Sequence, residues 1–236
     1  MSLPTTPELV DALDAAYSGV TALVAGLDDD DLLRPSGCLG WSRGDLLFHL
    51  TGDAQRALVA LATPSGSAPD TDFVGYWRTH SGFSDREAEA AHARWVRRSA
   101  AAFDRPGGIV PLWSATALAA VRAAAAAVAP ERRVPTQGLV LALPDFLATL
   151  ITEAVLHHLD LIAGWSAAPR PADSAMSVAL ATIVGLLGDT RLPANWDGCE
   201  TLLKCTGRAA LTESDRSSLG AGMARIPVFG TATSGY

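Results

Sequence analysis

Apolar residues return every three or four positions along most of this chain, and that spacing leaves helices as its main building material. In "TPELVDALDAAYSGVTALVAGL", Leu9, Leu13, Tyr17, Val20 and Val24 fall on one face of an amphipathic helix. No alternating stretch is long enough to predict a sheet. Pro35, Gly37 and Gly40 in "RPSGCLGW" interrupt the pattern, and "GWSRGDLLFHLTGDAQRALVALA" resumes it. There Ser42 and Asp45 have the spacing of a capping box, and Trp41 and Leu46 that of a hydrophobic staple, which predicts a helix start at residue 42 or 43.

The same reading continues downstream. Asp28 to Asp31 form a solvated helix start, residues 64–85 a loop or lid, and residues 86–103 a third helix. "LWSATALAAVRAAAAAVAPERR" is a further helix ending near Pro130, and "VPTQGLVLAL" a short non-helical connection. "PDFLATLITEAVLHHLDLIAGW" is a long helix opened by Pro144 and Asp145; a helix over 174–187 and short elements in "CETLLKCTGRAAL" and "TESDRSSLGAGMA" follow. The expected fold is all-α, an up-and-down four-helix bundle over 1–165 with a short C-terminal helical extension, 166–236, packing on it.

Charge and cysteine content narrow the function. A formal net charge of −7 opposes nucleic-acid or anionic-membrane partners, which need clustered positive charge. Cys38, Cys199 and Cys205 are odd in number, show no CxxC pair and suggest neither a disulfide framework nor a thiolate zinc knuckle. "MSLPTTPELVDALDAAY" lacks the basic and apolar segments of a signal peptide, and no uninterrupted apolar run approaches the ~20 residues that span a bilayer. A reducing, cytoplasmic location is expected, with the chain a monomer or a homodimer.

The chemistry concentrates in "LITEAVLHHLDLIAGW". At about 100° per residue, Glu153 and His157 stand one turn apart on one face, Asp160 falls on the same side, and His158 points away among Ile151, Val155 and Ile162. A carboxylate and an imidazole at i and i+4 can reach one divalent ion, and a third ligand is then needed from a neighbouring helix. His49 is the candidate, mid-helix between Asp45 and Asp53. A glutamate and two histidines make the ligand count of catalytic zinc, with Asp53 or Asp160 available to orient a ligand histidine. An ordinary solvated Glu–His pair has the same spacing, so spacing alone leaves both readings open. His158 is expected to be half-buried and hydrogen-bonded, His80 and His92 solvent-exposed, and Cys38 a small core residue, although its place just before the His49 helix could also bring it to the site.

"GWSRGDLLFHLTGD" resembles the W-x-x-x-D-x-x-x-H opening of the second helix in DinB-like metal-binding bundles. "VPTQGLVLALPDFLATLITEAVLHHLDL" is similar to the E-x-x-x-H-x-x-D segment of their mycothiol-dependent maleylpyruvate isomerase branch. The resemblance runs over roughly residues 7 to 165, and "LLKCTGRAALTESDR" is similar to that branch's C-terminal segment. It implies a divalent ion, usually zinc, on His49, Glu153 and His157, and mycothiol as co-substrate. The implied chemistry is a thiolate adding to a conjugated double bond, rotation about the single bond formed, and elimination to the trans product; related members transfer the thiol's sulfur to electrophiles. The isomerase has a fuller C-terminal domain that helps bind substrate carboxylates. Arg208 is the nearest candidate here for that role, or else an arginine covering a bundle end.

The expected function is a metal-dependent thiol S-transferase or isomerase joining a low-molecular-weight thiol to a small electrophile. The rivals are a non-enzymatic metal-binding bundle with a regulatory or stress-response role, and a hydrolase using zinc-bound water.

Overall fold

A computed structural model describes residues 3–80, 86–129 and 131–228. Ten helices and one hairpin are present among them: α1 (Thr6–Ala25), α2 (Asp29–Leu33), α3 (Arg43–Ala62), α4 (Phe73–His80), α5 (Arg86–Ala100), α6 (Ile109–Ala126), β1 (Arg133–Thr136), β2 (Leu139–Ala142), α7 (Leu143–Leu161), α8 (Asp173–Leu187), α9 (Gly198–Cys205) and α10 (Glu213–Leu219). The all-α class holds. The capping chemistry falls where the residues predicted it. Asp45 accepts from the Ser42 N–H at 2.9 Å and its own N–H donates to the Ser42 hydroxyl at 3.1 Å, so α3 starts at Arg43. Asp28 caps α2 by accepting from Asp31 N–H at 2.8 Å.

Four long helices, α1, α3, α6 and α7, enclose the core. Leu9, Leu13, Tyr17, Val20 and Val24 of α1 are all buried, as their spacing required. α6 packs against α1 and α3, and α7 packs against the same two from the other side. Contacts between helix ends set their directions. Gly107 N–H donates to Asp29, and Gly37 N–H to the Asp160 carbonyl, so one end gathers the close of α1, the starts of α3 and α6, and the close of α7. At the other end Arg132 reaches the Leu61 carbonyl, and Leu143 N–H donates to the Arg132 carbonyl. α1 and α7 therefore run one way, α3 and α6 the other. This refines the up-and-down expectation: the return between the two parallel helices takes a crossover carrying α4 and α5.

Three local differences from the sequence reading have clear causes. The segment read as a loop over 64–85 contains α4, capped by Asp72, which accepts from Gly75 N–H at 2.7 Å, and anchored by buried Tyr76 and Trp77; residues 81–85 lie outside the described residues. The "VPTQGLVLAL" connection is a hairpin, turned by Gln137 and Gly138 at φ 47° and 81°, the positive pair that a tight two-residue turn requires. Strands of four residues are too short to announce themselves by alternation. Pro106–Ala126 reaches a mean hydropathy of 1.5, enough by length and composition to cross a membrane, because alanine fills it and Arg122 is its only charge. In this fold it is a bundle helix whose Trp113, Ala117, Ala120 and Ala124 face the core.

Beyond the bundle, α8 packs on α1, α4 and α7, and α9 packs on α8. A hydroxyl pair, Thr152 with Thr182 at 2.9 Å, joins α7 to α8 inside the apolar contact.

Candidate metal centre

α3 and α7 lie antiparallel, and their polar stripes meet. His49 Nε2 is 2.9 Å from Glu153 Oε1, and His157 Nε2 is 3.3 Å from the same oxygen. The two imidazoles stand nearly perpendicular, with ring centroids 4.9 Å apart. One ligand atom from each of His49, Glu153 and His157 falls within 4.8 Å of the other two. Three lone-pair donors converging on one point, two of them imidazole nitrogens, form a donor set suited to zinc or a similar divalent ion. Side-chain exposures of 19%, 21% and 12% leave the point reachable from solvent, as an open coordination position requires.

The far nitrogen of His157 is spoken for. Its Nδ1–H donates to Asp160 Oδ2 at 2.9 Å, which directs the Nε2 lone pair toward Glu153 and His49. Arg208 in turn grips Asp160 through two parallel bonds, Nε to Oδ1 and Nη2 to Oδ2, each 2.8 Å. Such a fork fixes a carboxylate plane. Burial alone would raise the Asp160 pKa, but Arg208 and His157 hold it well below the carboxylate range. Burial likewise opposes charge on Glu153, and the two histidines overcome it, keeping the carboxylate ionised. For His157 burial favours the neutral ring, while Glu153 and Asp160 outweigh it and raise its pKa well above the usual value. A proton and a divalent cation are thus alternatives at Nε2.

The remaining candidates separate cleanly. Asp53 does not touch either candidate histidine through a hydrogen bond among the described residues; it pairs with Arg56 one turn along α3. Asp45 is used by the helix cap. Arg208 is committed to Asp160, so its guanidinium orients a carboxylate of the protein itself. His158 is fully buried where half-burial was expected: at 1% exposure its Nε2–H donates to the Pro169 carbonyl at 2.9 Å. Burial pushes its pKa down, the reverse of its neighbour. The side chain of His80 lies outside the description.

Two groups stand closer to the centre than the sequence reading placed them. Cys38, expected in the core, donates its thiol to Asp160 Oδ2 at 3.3 Å and lies 3.8 Å from His157 Nδ1. Burial pushes this thiol up, against the lowering contact with His157, so it remains protonated. His92 is solvent-exposed as expected, yet its Nε2 lies 3.4 Å from His49 Nδ1, and Trp41 and Trp95 pack on its ring. The only sequence signal for either was Cys38's position just ahead of the His49 helix; contact from a loop and a separate helix has no periodicity to reveal it.

No curated protein and no solved structure matches the chain. A family model, the mycothiol maleylpyruvate isomerase N-terminal domain, matches residues 13–162, well over half of it. That span takes in α3 and α7 with all three converging residues. The chain therefore belongs to the mycothiol maleylpyruvate isomerase N-terminal domain family, a DinB-like helical bundle family.

Proposed function

We propose that this protein is a zinc-dependent thiol transferase or isomerase that joins mycothiol, or a similar low-molecular-weight thiol, to a small electrophile. The observation that carries the reading is the convergence of His49, Glu153 and His157, backed on the second nitrogen of His157 by Asp160 and Arg208. Family membership supports the thiol as partner. A zinc ion there would supply Lewis acidity, favouring the thiolate form of a bound thiol at neutral pH.

The chain's own residues do the positioning. His49 and His157 present Nε2 from two different helices, so the ligand geometry depends on the α3–α7 packing. Glu153 brings the negative charge that offsets part of a dication. Asp160 keeps the His157 proton on Nδ1, and Arg208 keeps Asp160 in plane. Cys38, protonated and tied to Asp160, leaves the nucleophile to come from the thiol substrate.

Elemental analysis of the zinc-reconstituted, desalted chain is expected to give close to one zinc per chain. Mycothiol-dependent consumption of maleylpyruvate, or of another electrophile from a panel, is expected to accompany it. Bound zinc without thiol-dependent turnover would favour a non-enzymatic bundle. Turnover that needs no thiol would favour a zinc-water hydrolase. A chain that retains no zinc would sink the metal-dependent reading.

A further inference from the structure

The hydroxyl of Tyr17, on α1, is an orphan. The residue is 2% exposed, its ring meets Trp113 edge-on at 5.3 Å, and its Oη is buried without a hydrogen-bond partner among the described residues. Phenylalanine would keep the ring's apolar contacts. A buried phenol left unpaired is less favourable than a paired one or than no hydroxyl at all. Keeping it is reasonable if a partner arrives from outside.

The surroundings indicate the partner's chemistry. Asp53, Arg56 and Glu153 all act electrostatically on Tyr17, and the same three act on Tyr76 of α4. Burial first, then the nearby carboxylates, pushes the Tyr17 phenol well up against the relief from Arg56, so it stays a donor at working pH. On α3, His49, Asp53 and Arg56 recur at i, i+4 and i+7, one stripe that carries Arg56 about 10 Å along the axis from His49. This stripe runs away from the Asp160–Arg208 end. Arg56 is held in place there: its Nε donates to Asp53 at 3.0 Å, its Nη2 to the same carboxylate oxygen, its Nη1 to the Thr136 hydroxyl, and its guanidinium lies 5.8 Å from the Phe146 ring centre. Tyr76 is fixed by donating to Gln137 Oε1 at 2.8 Å, at the hairpin tip.

We propose that Tyr17 is a ligand-binding residue, its hydroxyl forming with Arg56 a subsite for a carboxylate, or an equivalent anionic oxygen, of the electrophile. The subsite rests on the metal-dependent reading above, which places the reacting end of the ligand at His49, Glu153 and His157.

The test uses Tyr17→Phe in the full chain, with calorimetric titration of succinate and of neutral succinamide into zinc-treated and metal-free protein. Wild type is expected to bind succinate and not succinamide, and Tyr17→Phe to weaken succinate about tenfold or more, as loss of a hydrogen bond to a charged group does. Metal-free Tyr17→Phe is expected to melt no lower than wild type. Equal succinate affinity in the two chains, no succinate binding by wild type, or a lower melting temperature for the variant would each overturn the proposal. Zinc content, measured on the same samples, separates the two readings. A wild type that binds succinate through Tyr17 but holds no zinc would retain the subsite and discard the metal.

Discussion

Two buried charge clusters in this molecule look alike in composition and differ in kind. In the C-terminal segment, the Lys204 ammonium donates to Glu200 at 2.5 Å and pairs with Asp215 at 2.8 Å, and sits 4.8 Å from the Trp196 ring centre. Asp215 also accepts from Trp196 Nε1–H and from Thr212 N–H, each at 2.8 Å. Each of these donors finds an acceptor within the cluster, so it is complete as it stands. Between α3 and α7 the arrangement is the opposite: two imidazole nitrogens and a carboxylate oxygen turn their lone-pair sides toward one point. That geometry calls for a proton or a cation. Burial of charge does not distinguish a clamp from a site; convergence of acceptors does.

The largest expected effect is at the proposed zinc ligands. His49→Ala, Glu153→Gln and His157→Ala are each expected to take zinc from near one equivalent per chain to little, while Lys204→Met leaves it unchanged; elemental analysis after desalting decides. If Lys204→Met also emptied the chain of zinc, the two clusters would not be independent. The next effect is on affinity. Asp160→Asn, which weakens the hold on His157 Nδ1, is expected to lower zinc affinity about 10- to 100-fold in chelator competition. An unchanged affinity would remove Asp160 and Arg208 from the centre.

The clamp should respond in stability instead. Lys204→Met strands the buried Asp215 carboxylate, and the melting temperature is expected to fall by a few degrees and to recover in part when Asp215→Asn is added. The smallest effect is in acid. Lys204, with Thr212 and Trp196, holds the Asp215 pKa well below the carboxylate range. The stability this contributes is present above the unfolded pKa of about 3.9 and is lost as pH falls through the lower folded value. Asp215→Asn should therefore lose stability less steeply than wild type below about pH 4, read by denaturant melts across that range. Parallel acid limbs would mean that another carboxylate dominates.

Periodicity made much of this legible. The apolar face of α1, the capped start of α3 and the Glu153–His157 pair all follow from spacing within one helix, where 3.6 residues per turn fixes who stands beside whom. His49 was accessible as a partner because it lies mid-helix between carboxylates, although Asp53 then proved to serve Arg56. What escaped notice involves short elements or contacts between elements. α4 is eight residues long and contains a glycine; the hairpin strands have four residues each. His92 meets the centre from α5, and nothing in its own neighbourhood foretells it; Cys38 meets it from a loop, signalled only by its place just ahead of the His49 helix. The parallel run of α3 and α6 was equally hidden, since helix direction is set by a crossover whose path no local pattern encodes.

The same crossover gives the His49–Glu153 contact a mechanical meaning. Those residues are 104 apart in sequence, and α4, α5, α6 and the hairpin all lie on the chain between them. An ion bonded to both would act as a staple closing nearly half of the polypeptide into a ring. In the chain-entropy view of cross-links, closing a loop of about 100 residues restricts the unfolded chain by roughly 5 kcal/mol. Stripping such an ion would then do more than silence a reaction: it would lengthen the leash on the whole middle of the protein.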